Sequence, residues 1–415
     1  MRLLFVHQNY PAQFKHLAPE MKRRGAEVVA MSMSAPPADN PFPVLRSGST
    51  YGTSAKHPWA RDFETKVIRA EASLRTAAKL RDGGFSPDVI VAHPGWGDSL
   101  FLKQVWPEAR LGVYCEYFYR STGGDLDFDQ EFGPRTDPLD AVCKFRLRNL
   151  PQRLNLDYAN AGISPTEFQA GTYPDRYRRI IDVIFDGIDT DHVAPDPSVR
   201  LKVGGVEIAH GQEVVTFVAR NLEPYRGYHI FVRALPELLR RRPNARVLIV
   251  GGEGVSYGAA PPQGKGSWKQ IFWSEVADRI DRSRVHFLGN LDYPMFLSVM
   301  RTSALHVYLT YPFVLSWSLM EAMSMGVPIL ASDTAPLREV VTPGENGLLF
   351  PFFDPEALVD GACALLDDPH TRARMGANAR ALVNERYDLH QVCLPRQIHW
   401  IEKLRAADPV IPDMD

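Results

Sequence analysis

Cysteine is scarce: the 415 residues contain four, Cys115, Cys143, Cys363 and Cys393. They lie far apart and form no Cys-x-x-Cys pair, which excludes a disulfide-framed module and argues against a zinc site. A reducing, cytoplasmic setting is the expected home. No apolar run approaches the roughly 20 residues of a membrane-spanning helix. The chain opens Met-Arg-Leu-Leu-Phe-Val and reaches His7, Gln8, Asn9 and Tyr10 at once, so a first buried strand is expected there rather than a leader. Lys and Arg (47) do not outnumber Asp and Glu (49). The balance holds on either side of residue 190, so no nucleic-acid partner is expected. No Gly-x-Gly-x-x-Gly follows the opening strand, which counts against a hydride-transferring dinucleotide enzyme.

What the chain does have is alternation. Short Val/Ile/Leu-rich runs occur at residues 2–6, 27–31, 88–92, 110–114, 160–164 and 179–184. A second series occupies 214–219, 245–250, 284–288, 304–309, 327–331 and 347–350. Most lack polar alternation, as strands covered on both faces do. Helical patterns such as 228–241 and 316–325 separate them, which predicts parallel sheets with right-handed crossovers. Two series predict two doubly wound domains, 1–190 and 191–390, with 391–415 as a C-terminal helix and tail packing back toward the first. The Asp-, Pro- and Gly-rich stretch 185–200 is the expected linker. Residues 34–59, with five prolines, read as one long irregular loop. Ligands of open parallel sheets bind beyond the strand C-termini, so candidate site residues are sought there.

Three such places stand out in the second series. At residues 218–227 a strand runs into a turn carrying Arg220 and Arg226, whose guanidinium forks match phosphate oxygens. At 249–254 a strand is followed by Gly251 and Gly252, which permit close backbone approach to a ligand. At 309–328 a strand leads through Pro312 to a short helix. Ser316 is the expected N-cap, Gly326 the C-terminal stop, and Val314, Leu315 and Ser316 are candidate anion-binding backbone donors. Glu321 is a carboxylate in an otherwise apolar helix, a costly placement unless it is paired.

In the first series, His7, Gln8, Asn9 and Tyr10 follow the first strand. His93 ends another in a Gly-rich turn with Trp96, and Glu116 follows a third among aromatics. Each is a candidate site residue, and each also has a plain structural reading as a cap or a paired core group. Asp125-x-Asp127 lies in a loop-like stretch and is not expected to hold a metal. The basic run Lys144, Arg146, Arg148 and Arg153 reads as a solvated helix face, with a weak membrane-surface contact as the alternative.

These residues resemble the retaining glycosyltransferases of family 4. Glu321-Ala322-Met323, Gly326 and Pro328 match the second half of that family's Glu-x7-Glu signature. Residues 332–334, 338–341 and 344–349 are similar to its donor-pocket stretch, and Leu288-Gly289-Asn290 to its nucleotide-base turn. The resemblance implies a GT-B fold of two facing Rossmann-like domains with an interdomain cleft. It implies sugar transfer from a UDP- or GDP-sugar with retention, without metal or other cofactor. The acceptor class stays open among glycan, lipid-linked, protein and small-molecule hydroxyls or thiols. Arg220 and Arg226 stand for the family's Arg-x4-Lys diphosphate grip, with one extra residue and Arg in place of Lys. Gly252, Gly289, Val314, Leu315, Ser316 and Glu321 would hold the donor. Ala12 lies where the family's first-domain glycines stand. His7, Gln8, Asn9, Tyr10 and His93 would face the acceptor, and Glu116 stands near the family's catalytic-side His. The first Glu of the signature falls on Phe313, which favours stacking or a less polar sugar face. A non-catalytic sugar-nucleotide-binding protein and a sugar-nucleotide epimerase of the same architecture remain alternatives.

Overall fold

The structure, a computed structural model, describes residues 1–35, 38–133 and 137–412. It divides into two compact units. The first comprises Met1–Leu126, Pro134–Gly187 and His390–Asp415; the second comprises Asp127–Gly133 and Ile188–Leu389. The boundary therefore falls after Gly187 rather than at residue 190. A seven-residue segment that the sequence reading left in the first domain belongs to the second.

The first unit is built on seven strands: β1 (Arg2–Val6), β2 (Glu27–Ser32), β3 (Val44–Arg46), β4 (Val89–Ala92), β5 (Arg110–Tyr114), β6 (Ala161–Ser164) and β7 (Ile181–Val183). Their order is β3-β2-β1-β4-β5-β6-β7, and neighbours run parallel. Leu4 of β1 faces Val29 of β2 on one side and Ile90 of β4 on the other. Leu3, Leu4 and Phe5 are fully buried, because helices cover both faces. The crossovers leave β1 in opposite directions, which makes the β1/β4 edge a topological switch point. β3 lies inside the expected irregular loop; three residues among prolines are too short to show a period.

The C-terminal helix Leu394–Ala406 lies against β5. Gly112 makes room for it: a Cβ there would come within 2.5 Å of Trp400 Cη2 and 2.6 Å of Leu404 Cδ1.

In the second unit a hairpin of β8 (Arg200–Val203) and β9 (Val206–Ala209) turns at Gly204 and Gly205, both with positive φ. Gly-Gly between short alternating segments is a hairpin signal that the sequence reading missed. The main sheet holds β10 (Val214–Asn221), β11 (Arg246–Gly252), β12 (Val285–Gly289), β13 (Leu305–Tyr308), β14 (Ile329–Ser332) and β15 (Leu348–Phe350). Their order is β12-β11-β10-β13-β14-β15, all parallel. It repeats the first sheet's logic, with β10 in the place of β1. Helix Tyr228–Arg241 starts at Gly227, whose φ of +69° only glycine takes without strain.

Gly112→Ala should overpack the β5–helix contact and destabilise the protein by roughly 1–3 kcal/mol, read as a lower urea midpoint. Adding Trp400→Leu, which vacates the space, should recover part of the loss.

Candidate functional site

In the second unit, β10, β11 and β12 end around a cavity of about 410 Å³ lined by Arg220, Asn221, Val250, Asn290, Leu291, Tyr293 and Phe296. Arg220 stands exposed at the end of β10. Gly252 is needed there: a Cβ would meet Asn221 Oδ1 at 2.6 Å and Asn290 Nδ2 at 3.0 Å. Gly289, with φ +67°, turns the chain out of β12. The Tyr293 hydroxyl donates to Glu321 Oε1 at 2.8 Å, so the buried carboxylate of helix Trp317–Ser324 is joined to the cavity wall.

Arg226 takes a different position. It does not line the cavity, and it is buried. Its Nη1 donates to Thr310 Oγ1 (2.7 Å), Tyr308 Oη (3.1 Å) and the Val314 carbonyl (3.1 Å). Its guanidinium carbon sits 5.2 Å from the Tyr257 ring centre and 5.9 Å from that of Phe313. Burial works against its charge, but the phenolic oxygens of Tyr308, Tyr257 and Tyr225 outweigh it and raise its pKa. Phe313 is buried in the same box, 5.0 Å from the Tyr225 ring and 5.1 Å from that of Tyr257. Stacking or a less polar sugar face is expected there from sequence; the ring is a buried wall of the box, with no open face for stacking. Ser316 caps the helix by accepting from the Ser318 amide at 3.3 Å.

Glu223 was missed by the sequence reading. Fully buried between the two arginines, it accepts amide hydrogens from Ser256 (3.1 Å), Tyr257 (3.5 Å) and Gly258 (3.4 Å). Burial pushes its carboxyl upward, against the lowering pull of those donors. It pins the loop that brings Tyr257 onto Arg226. No local spacing announces this, since its partners lie more than thirty residues downstream.

In the first unit, the switch point joins His7 at the end of β1 to His93 at the end of β4, with ring centres 5.0 Å apart. His7 Nδ1 accepts from the Asn9 amide (2.9 Å), and burial, with His93 beside it, drives its pKa down to about 2. His7 is therefore neutral at working pH. His93 Nδ1 accepts from the Gly95 amide (3.2 Å), which leaves Nε2 to face Glu116 Oε2 at 3.3 Å. Gln13 Nε2 donates to Glu116 Oε1 at 3.2 Å. Trp96 stacks on His93 and is half exposed. Asn9 accepts from Ser34 Oγ, and Ala12 holds φ +42°, a conformation that glycine takes more easily.

Several buried polar atoms on the loops following the strands of this sheet have no hydrogen-bond partner. They are Gln8 Oε1, Tyr10 Oη, Ser47 Oγ, Ser99 Oγ and both carboxylate oxygens of Asp98. Among the described residues no cluster of three or more His, Cys, Asp or Glu could hold a metal ion. Asp125 instead accepts from the Tyr117 hydroxyl at 3.1 Å.

Asp98 is 2% exposed, and burial raises its pKa to about 6, against the pull of Arg69 and His93. A carboxyl whose folded-state pKa is raised favours folding at low pH. That stability is complete below the unfolded value and lost as pH rises through 6. Asp98→Asn should therefore gain roughly 2–3 kcal/mol over wild type at pH 8 and nothing at pH 4, read from paired urea midpoints.

Residues 24–193 match the family model for the glycosyl transferase family 4 group, and residues 203–382 that for glycosyl transferases group 1. A D-inositol 3-phosphate glycosyltransferase of Corynebacterium efficiens is 32% identical over 169 residues, 40% of this chain and 38% of that protein. A phosphatidyl-myo-inositol mannosyltransferase of Mycobacterium tuberculosis is 33% identical over 183 residues, 42% of this chain and 43% of that protein. The chain thus spans less than half the length of these curated relatives. Sucrose-phosphate synthase of Thermosynechococcus elongatus shares the fold at a TM-score of 0.75 and 18% identity, over 98% of this chain and 100% of that one. Anabaena Alr3699/HepE in complex with UDP-glucose does so at 0.68 and 16%, over 97% and 100%. With one glycosyltransferase model on each sheet and a shared fold along nearly the whole chain, the protein belongs to the family 4 type of glycosyltransferases, with the GT-B architecture.

Proposed function

We propose that the protein transfers a sugar from a nucleoside-diphosphate sugar to a hydroxyl-bearing acceptor, with retention at the anomeric carbon and without a metal. The observation that carries this reading is Arg220, a guanidinium standing at the wall of the cavity formed where β10, β11 and β12 end. When the sugar–phosphate bond breaks, its electron pair goes to the diphosphate. A fixed cation at that point lowers the barrier. The N-terminus of helix Trp317–Ser324 adds backbone donors and the positive end of its dipole. The Tyr293–Glu321 pair is read as the acceptor of nucleoside hydroxyls, and Gly252 and Gly289 as the glycines that admit the nucleotide. Arg226 is read as the residue that holds the turn at 310–314 rather than as a second phosphate ligand.

The acceptor is assigned to the β1/β4 edge of the first unit. The unpaired oxygens of Gln8, Tyr10, Asp98 and Ser99 suit a ligand rich in hydroxyl donors. His93 and Glu116 would orient the reacting hydroxyl. Phe313, in place of a signature Glu, favours a second reading in which the protein binds sugar nucleotides without turning them over.

Thermal shifts with UDP, GDP, ADP and dTDP test the donor site, since a ligand of the native state raises the melting temperature. One diphosphate should give a clear shift, and Arg220→Ala should abolish it. With the matching donor and an acceptor, Arg220→Ala should cost about 10²–10³ in rate. No shift from any diphosphate at millimolar concentration would sink the reading. Binding without release of diphosphate from any donor and acceptor would favour the non-catalytic one.

A further inference from the structure

Asp127–Gly133 belongs to the second unit although it lies far upstream of the rest of it in sequence. This strap is built into the unit by both kinds of anchor that proteins use at hot spots. Phe128 packs within 5.2 Å, ring centre to ring centre, of Tyr311, Phe352 and Phe353. Phe132 packs as closely on His229 and Trp268. Arg233 forks onto Glu131 with two bonds of 2.7 Å and onto Glu275 with a third of 2.7 Å.

Between the two phenylalanines stands Asp129, 3% exposed. A carboxylate is a poor choice if the strap needs only to stick. An apolar side chain of similar volume would hold it without desolvating a charge. What a carboxylate adds is direction. Its Oδ2 accepts the Tyr311 hydroxyl at 2.5 Å and lies 3.1 Å from His229 Nε2; its Oδ1 accepts the Glu131 amide at 2.9 Å. Burial raises its pKa, but the nearby His229 ring and the Tyr311 hydroxyl bond outweigh it, so the group is held as the anion.

Tyr311 sits in the turn at 310–316, the segment that carries Val314, Leu315 and Ser316. Its amide donates to the Tyr225 carbonyl (3.1 Å), and the two rings lie 4.9 Å apart. Tyr225 in turn walls Phe313. Side chains from elsewhere thus hold the turn, Arg226 at Thr310 and Val314, Ser332 at Thr310 and Asp129 at Tyr311, beside the backbone bond from Tyr311 to Tyr225.

We propose that Asp129 is a positioning residue for the donor site, setting the Tyr311 hydroxyl and through it the turn at 310–316. The proposal rests on the reading of that turn as donor-binding. Tyr311→Phe removes only the hydroxyl. Asp129→Leu removes the charge at nearly the same volume, and should it fail to fold, Tyr311→Phe alone still decides the matter.

Amide hydrogen exchange and calorimetric titration of UDP and GDP are read on the full chain. Tyr311→Phe should speed exchange at residues 310–316 selectively and weaken diphosphate binding about tenfold. Asp129→Leu should do the same, and the double variant should be no weaker than the weaker single, since both remove the same Tyr311–Asp129 bond. Unchanged exchange at 310–316 in Tyr311→Phe overturns the proposal. So does faster exchange with unchanged affinity, the signature of a purely structural strap. If wild type binds none of UDP, GDP, ADP and dTDP, it is the donor reading that falls, while the exchange measurement still decides whether Asp129 positions the turn; if it binds ADP or dTDP instead, that diphosphate replaces UDP and GDP in the titration.

Discussion

The buried guanidinium of Arg226 is the constraint around which the second unit's candidate ligand edge is arranged. A charge out of water must be met by oriented oxygens, and here Tyr308, Thr310 and Val314 supply them to one nitrogen. Those acceptors come from the end of β13 and the turn that follows it, so satisfying the arginine also fixes the turn. Tyr257 can lie on the guanidinium only because Glu223 gathers three amides of its loop. Phe313 closes the same box. A lysine at 226 would present a compact point charge without the planar guanidinium that lies 5.2 Å from the Tyr257 ring centre and 5.9 Å from that of Phe313. An arginine there and an aromatic at 313 therefore make a consistent pair.

The two sheets share one logic and differ in charge. In each, the first strand of the series lies inside the sheet, third in the order, and the candidate ligand edge lies beyond its C-terminus. The second unit presents a cation there, Arg220. The first unit presents carboxylates, Asp98 and Glu116, with a histidine that burial keeps neutral. In the proposed reading, the edge of the second unit faces an anionic leaving group and that of the first a ligand that donates hydrogen bonds. That division underlies the assignment of donor and acceptor.

The strap, like the C-terminal helix packed on β5, adds a long-range element to the βα repeat. Its four chemistry-bearing residues, Phe128, Asp129, Glu131 and Phe132, lie in a stretch the sequence presents as an acidic loop. Their partners are Tyr311, His229, Arg233 and a row of aromatics. Nothing in a local pattern of Asp and Phe distinguishes a solvated loop from a segment that fills a groove far along the chain.

Sequence by itself determined the repeating strands and helices, because apolar runs covered on both faces and amphipathic helices are local in cause. It also determined the Ser316 cap, the Gly326 stop and the placement of Arg220, since strand ends and caps are read from neighbouring residues. The short strand β3 escaped it, being too brief to show a period, and the β8–β9 hairpin was signalled only by its Gly204-Gly205 turn. Only the tertiary structure decided that Arg226 is enclosed while Arg220 is open, that Glu223 pins a distant loop, that Phe313 is a wall, and that residues 127–133 belong to the second unit. Burial and hydrogen-bond satisfaction set each of these, and both depend on atoms brought together from far apart in the chain.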